Sequence, residues 1–213
     1  AAATESAAPS PTTRRLGPTY CAHIFWDFDN IPLDVGVSVP NFIQSLVAFF
    51  VQDRKVASDR QHVFIECFIV EHSRVSVFQL EQLRQLGVKI VLCSQEKEGA
   101  DKELRRSLQA EMRRYDESDE PPPMASPAAT GPQPTGGGAR ATAAAPGVRS
   151  RHTIAIVSSD KGFFELGELA HSGGFPFLML HQARAGSEHD RMIRCALGEG
   201  AVHIAPIVGR ARR

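Results

Sequence analysis

From residue 22 onward, short runs of consecutive apolar residues alternate with stretches whose apolar positions recur every three or four residues. His23 to Phe28 is a run of the first kind and predicts a short buried strand. Phe42, Ile43, Leu46, Val47 and Phe50 then recur at helical spacing. A second strand is predicted over 62–70 (HVFIECFIV). The helix after it is expected to turn Val75, Phe78, Gln82 and Leu86 inward, broadened by Leu83 and ended by Gly87. A third strand over 88–94 (VKIVLCS) leads to a helix striped by Leu104, Leu108 and Met112. After an interruption come a strand over 152–159 (HTIAIVSS), a helix carrying Phe163, Leu166 and Ala170, and a strand over 175–180 (FPFLML). A helix around 187–197 and a short strand at 202–207 complete the pattern. Strands that are apolar throughout have no face to give to water, and helices between them predict a parallel sheet covered on both sides. The expected fold is α/β and doubly wound, a mostly parallel central sheet of five or six strands with helices on both faces, in a Rossmann-like topology.

The interruption spans 116–150, opening with DESDEPPP and running through GPQPTGGGARATAAAPG, a composition that predicts disorder. The strands on either side of it belong to one sheet, so it is read as an insertion in a single domain, 21–208. Residues 1–20, AAATESAAPSPTTRRLGPTY, offer no core material and read as a flexible leader, with the remnant of a mitochondrial or other organelle transit sequence as the alternative. Residues 209–213 read as a basic tail.

Composition narrows the picture only slightly. The 213 residues suffice for one sizeable core, and 42% apolar with 23% charged residues is ordinary for a globular domain. Lys plus Arg equals Asp plus Glu at 24 each, so net charge argues for no partner. The ending VGRARR and the run Arg105, Arg106, Arg113 and Arg114 predict local basic patches. Cys21, Cys67, Cys93 and Cys195 form no C-x-x-C pair, which argues against a zinc ribbon. Three of them lie in apolar runs and are expected as buried, reduced thiols of an intracellular protein. No apolar stretch approaches the ~20 residues that span a bilayer, so a soluble chain without a membrane partner is expected.

The chemistry gathers where strands end. In open parallel sheets ligands bind beyond the carboxyl ends of the strands, near the switch in strand order. The first strand ends in WDFDN, with Asp27, Asp29 and Asn30. The third runs into SQEKEGADKEL, with Glu98 and Asp101 at a helix start, and the fourth ends in SSDKGFF, with Ser158, Ser159 and Asp160. Carboxylates crowded on one edge repel, and a cation between them relieves the repulsion. Oxygen donors alone suit Mg²⁺ or Mn²⁺, which keep several waters and also bind phosphate. Such a site activates water against a phosphodiester. Singly, each acid has a plainer reading: Asp101 as a cap of the third helix, Ser159–Asp160 as a cap of the fourth.

Lys97, Lys102, Arg105 and Lys161 flank the acids and predict contacts to phosphate oxygens, with a solvated helix face as the alternative for Arg105. Trp26 reads as core. His171, His181 and His189 lack metal-ligand spacing and read as surface or capping residues. No G-x-G-x-x-G follows the first strand, which argues against a nucleotide-binding Rossmann enzyme.

The stretches FWDFDNIP, KEGADKELRRSL, VSSDKGFFELGELAHSGGF and GSEHDRMIRCA resemble the NYN domain, a branch of the PIN-like nuclease superfamily, over about residues 22–198 apart from the insertion. The resemblance implies an α/β fold with a central parallel sheet and a metal-dependent ribonuclease. By motif, Asp27 is similar to the family's principal metal ligand, Asn30 to the asparagine that orients substrate or a ligand water, Asp101 to the acid opening the third helix, and Asp160 to the acid after the fourth strand. Asp29 would be a further ligand of Mg²⁺ or Mn²⁺, with Glu98 and Ser159 accessory. Two positions depart from the pattern: Gly162 and Ser107 stand where many active relatives carry acids. The expectation is a metal-dependent endoribonuclease acting on single-stranded RNA. The alternative is a catalytically weakened or inactive module that binds RNA or protein in a larger ribonucleoprotein assembly.

Overall fold

The structure is a computed structural model, and it describes residues 19–33, 36–71, 73, 75–96, 98–118 and 149–212. Six strands make up the sheet: β1 (Cys21–Asp27), β2 (Val63–Val70), β3 (Lys89–Cys93), β4 (His152–Val157), β5 (Phe177–His181) and β6 (Ala201–His203). All their pairings are parallel, in the order β3-β2-β1-β4-β5-β6. This is the doubly wound α/β architecture expected from the apolar runs.

All seven residues of β1 are buried because the strand is central and both faces are covered. Ile24 and Trp26 pack on one face with α1 (Val39–Ala48), α2 (Val77–Gln85) and α6 (Ala205–Ala211). Phe25 packs on the other with α3 (Gly99–Ser118), α4 (Phe164–Ser172) and α5 (Glu188–Leu197). Alternate residues of one strand thus feed two separate cores. Serines set the helix starts: Ser38 accepts from the Asn41 N–H, Ser187 from the Asp190 N–H, and Ser76 forms a reciprocal capping box with Gln79. Each such cap is worth about 1 kcal/mol.

The inner face of α2 departs from the expected one at Phe78, whereas Val75 and Leu86 pack against the core as expected. Leu83 is buried and Leu80 packs beside it, while Val77 and Phe78 are 82% and 71% exposed. The capping box fixes the helix at Ser76, and Phe78 lies two positions from Leu80 and five from Leu83. Those offsets put it on the far side of a 3.6-residue turn.

The chain end also differs. The strand expected at 202–207 stops at His203, and 205–211 forms a helix where a basic tail was expected from 209. Pro206 occupies the first turn of α6, where a missing N–H costs nothing. Ile207 and Ala211 are buried, Arg210 pairs with Asp53 at 2.7 Å, and the Asn41 side-chain amide donates to the Ala211 carbonyl at 3.1 Å.

Of the expected insertion, 116–118 continue α3 and 149–150 belong to a short 3₁₀ turn. Residues 119–148, and residues 1–18 of the expected leader, lie outside the described residues. Cys21, Cys67 and Cys93 are buried free thiols and Cys195 is exposed. Among the described residues no helix is long and apolar enough to cross a membrane.

Candidate active site

The strand order runs outward through β2 and β3 on one side of β1, and through β5 and β6 beyond its other neighbour, β4. The crevice beyond the ends of β1 and β4 is therefore the switch point of the sheet. β1 delivers Asp27 there. The turn after it is held by the buried Phe28 and Ile31, whose carbonyl accepts from the Trp26 indole N–H at 2.8 Å. Trp26 is fully buried and belongs to the core.

Asp27 is only 4% exposed. One carboxylate oxygen accepts from the Ser158 hydroxyl at 2.9 Å and the other from the Asn30 N–H at 3.3 Å. Burial pushes its pKa up to about 6; those two hydrogen bonds oppose the rise, and the Asp101 and Asp29 carboxylates add to it.

The loop after β4 is tied down residue by residue. Ser158, fully buried, donates to Asp27 and accepts from the Asp160 N–H at 3.1 Å. The Ser159 N–H donates to the Asn30 side-chain oxygen at 2.9 Å, and its hydroxyl accepts from the Gln182 N–H at 2.9 Å. The His189 Nε2 meets the Ser159 carbonyl at 2.5 Å and donates to it. Asp160 caps the 3₁₀ turn that follows, accepting from the Gly162 N–H at 2.7 Å, rather than the fourth helix itself, which follows Phe163 without a side-chain cap, and it also faces the crevice.

Asp101 stands in the first turn of α3. The helix begins close against the end of β3: a Cβ on Gly99 would sit 2.4 Å from the Ser94 carbonyl oxygen, which only glycine avoids. Glu98 just before it adopts a φ of 64°, a left-handed conformation uncommon for a side-chain-bearing residue. Partial burial raises the pKa of Asp101, Asp160 raises it further, and Arg105 counteracts both.

Asp27, Asp29, Asn30, Glu98, Asp101 and Asp160 line one cavity of about 350 Å³. The sequence-derived acids thus share one crevice, where the charges of Asp101 and Asp29 bear on Asp27 and those of Asp160 and Glu98 on Asp101. They are not drawn to one point: among the described residues no three His, Cys, Asp or Glu side chains are gathered as for an ion. Asp29 is turned to the Val70 N–H at 2.7 Å and Asp160 to the Gly162 N–H. The donors still suit a hard cation. They are all oxygens, they repel one another without one, and Mg²⁺ characteristically takes one or two carboxylates directly and completes its shell with water.

The basic residues divide. Lys102 and Lys161 are exposed, each next in sequence to an acid that lines the cavity, and Lys97 lies outside the described residues. Arg105 is committed to structure: its guanidinium donates to the Gly162 carbonyl, pairs with Glu165 and lies 5.7 Å over the Phe163 ring. That ties α3 to the loop bearing Asp160. Arg106 and Arg114 are paired along the helix with Glu103 and Glu111, so the basic patch expected on α3 is largely neutralised. Ser107 points away from the crevice and donates to Glu66 of β2 at 2.6 Å, and Glu66 also pairs with Lys89 at 2.9 Å.

His181, expected at the surface or in a cap, is fully buried, with its Nε2 3.9 Å from Asp190; burial lowers its pKa. His171 is exposed in the last turn of α4. The role of Ser158 was the main omission of the sequence reading, although the doublet Ser158–Ser159 before Asp160 marked the place.

No family model matches the chain, and no curated protein matches it.

Proposed function

We propose that this protein is a metal-dependent RNA phosphodiesterase, an endoribonuclease acting on single-stranded RNA with Mg²⁺ or Mn²⁺. The observation that carries the reading is Asp27, a buried carboxylate at the switch point whose pKa is pushed to about 6 and which shares a cavity with Asp101 and Asp160. A group so placed is costly to fold around and is a candidate for chemistry. The likeness of its motifs to NYN domains agrees with it.

Asp27, Asp101 and Asp160 would hold the cation, one or two of them directly and the rest through its waters, with Asp29 a further ligand once it leaves the Val70 N–H. When bound, it supplies Lewis acidity toward a phosphate oxygen and lowers the pKa of water. Asp27 is ionised above about pH 6 and so ready to bind at neutral pH. Ser158 and the Asn30 backbone fix the angle of its carboxylate. The Asn30 side chain, held by the Ser159 N–H, leaves its amide group to orient a phosphate oxygen or a water. Lys161 and Lys102 attract the RNA backbone.

The test is the chemistry of the cut ends. In-line attack by water that displaces the 3′ oxygen leaves a 5′-phosphate and a 3′-hydroxyl. Attack by the 2′-hydroxyl, as in metal-independent ribonucleases, leaves a 2′,3′-cyclic phosphate. Mass spectrometry of products formed in Mn²⁺ should find the first pair, and cyclic phosphates would reject the reading.

A second reading is a weakened or inactive module that binds RNA or protein. It is favoured by Asp29 and Asp160 being engaged with backbone N–H groups and by Gly162 standing where a further acid would serve.

A further inference from the structure

At the end of β5, His181 is fully buried, and among the described residues neither of its ring nitrogens has a hydrogen-bond partner. Buried polar atoms left unpaired are costly to fold around and call for an explanation. Its neighbour across the ladder does not serve it. His203 of β6 lies with its ring 5.3 Å away, and both of its nitrogens are engaged. Nε2 meets the Ala183 carbonyl at 2.8 Å and Nδ1 the Ala205 N–H at 3.2 Å. Asp190, in the first turn of α5, holds Oδ1 3.9 Å from the His181 Nε2, just beyond hydrogen-bond reach.

Asp190 is itself buried, and among the described residues its hydrogen bonds all lie within its own segment. Oδ1 accepts from the Arg194 Nε–H at 3.0 Å, Oδ2 accepts from the Gly186 N–H at 2.9 Å, and its own N–H donates to Ser187 Oγ at 3.1 Å. A carboxylate that moves toward β5 therefore carries the start of α5 with it. The adjoining residue, His189, donates to the Ser159 carbonyl. Ser159 in turn holds the Asn30 side chain through its N–H and precedes Asp160. A chain of contacts thus runs from α5 to the loop that lines the acidic crevice.

The charged and titratable groups that face His181 are His203 of β6 and Asp190, Arg194 and His189 of α5. Burial holds the His181 pKa below 6.5, His203, Arg194 and His189 lower it further, and Asp190 opposes them. The ring therefore gains its charge only on acidification. A proton then makes both nitrogens donors and sets a cation beside Asp190. We propose that His181 and Asp190 form an acid-triggered latch beneath the crevice. Protonated, His181 closes on Asp190 as a direct ion pair, draws the start of α5 toward β5, and through His189 resets the Ser159–Asp160 loop. The latch rests on the metal-site reading only for what it regulates, the grip of the crevice on a cation.

The test needs neither metal nor RNA: amide and histidine-ring NMR of the full chain, from about pH 7.5 down to about pH 4.5. In wild type His181 should titrate below 6.5, and the Gly186 and Ser159 amides should shift with the same midpoint. Asp190→Asn removes the anion that favours the charged ring and should lower that midpoint by about one unit. His181→Phe puts an apolar ring in the same buried position and should abolish this transition at Ser159, leaving those owed to other groups. Should that variant fail to fold, Asp190→Asn decides alone. A His181 ring that stays uncharged until the protein unfolds, a midpoint unmoved in Asp190→Asn, or a Ser159 transition that survives in His181→Phe overturns the latch. Mn²⁺ binding is measured separately by calorimetry. The shared transition without Mn²⁺ binding keeps the latch and rejects the metal site, whereas Mn²⁺ binding with an unmoved Ser159 does the reverse.

Discussion

The Ser158 hydroxyl donates to the Asp27 carboxylate at 2.9 Å across the seam between β4 and β1, with both residues closed to solvent. The same oxygen accepts from the Asp160 N–H. One serine therefore sets the orientation of the central acid and the position of the next.

Ser158→Ala removes both bonds and leaves a buried carboxylate with one donor fewer. A stability loss of about 1–3 kcal/mol is expected, read from chemical denaturation. The Asp27 pKa should rise above its wild-type value of about 6, because that hydrogen bond favours the ionised form. Mn²⁺ affinity should then fall more at pH 6 than at pH 8, and an equal deficit at both would count against this coupling.

Asp27 also shapes stability against pH. Folded, it keeps its proton up to about pH 6, whereas its ordinary pKa is 3.8, so the native state holds more protons between the two values. Stability contributed by this group therefore falls as pH rises through that window. His23 acts in the opposite sense: burial lowers its pKa to about 4, so its contribution is lost as pH drops from 6.5 through 4. The informative quantity is thus the difference between Asp27→Asn and wild type. The variant should be more stable by about 2 kcal/mol at pH 7 and no more stable at pH 4, measured by denaturation at each pH.

Gly162→Asp should strengthen Mn²⁺ binding by at least about threefold in calorimetry. A Cβ there would lie 3.2 Å from the Asp160 carboxylate, close enough that Asp160 must shift slightly. Gly162→Ala, which brings the same Cβ without the charge, should give no gain. Equal effects from the two variants would mean that crowding, not charge, governs the site.

Much of this was readable in advance for physical reasons. A strand buried on both faces, such as Ile24 to Trp26, must be apolar at every position, so the sheet announces itself locally. Acids after such strands, as at Asp27 and Asp160, sit at one edge by topology alone. What escaped depends on contacts between distant segments. Ser158 gains its role from the register that sets Trp26 beside Val157. Arg105 reads as a phosphate ligand until the loop at Gly162 and Glu165 is seen to occupy it. Phe78 was misplaced because Val77 and Phe78 offer α2 a second apolar face beside Leu80 and Leu83, and only the sheet chooses between them. The short α6, with Pro206 and Gly209 within it, carries a weak local helical signal and is held by packing on α1.

The central claim is tested most directly by cleavage of a labelled single-stranded RNA by wild type and Asp27→Asn, each in Mn²⁺, Mg²⁺ and EDTA. The account predicts that wild type cleaves in at least one of the two cations and not in EDTA. Asp27→Asn should lose cleavage while its melting temperature holds or rises. Wild type inert in both cations, or cleavage that persists in EDTA or in Asp27→Asn, would contradict it.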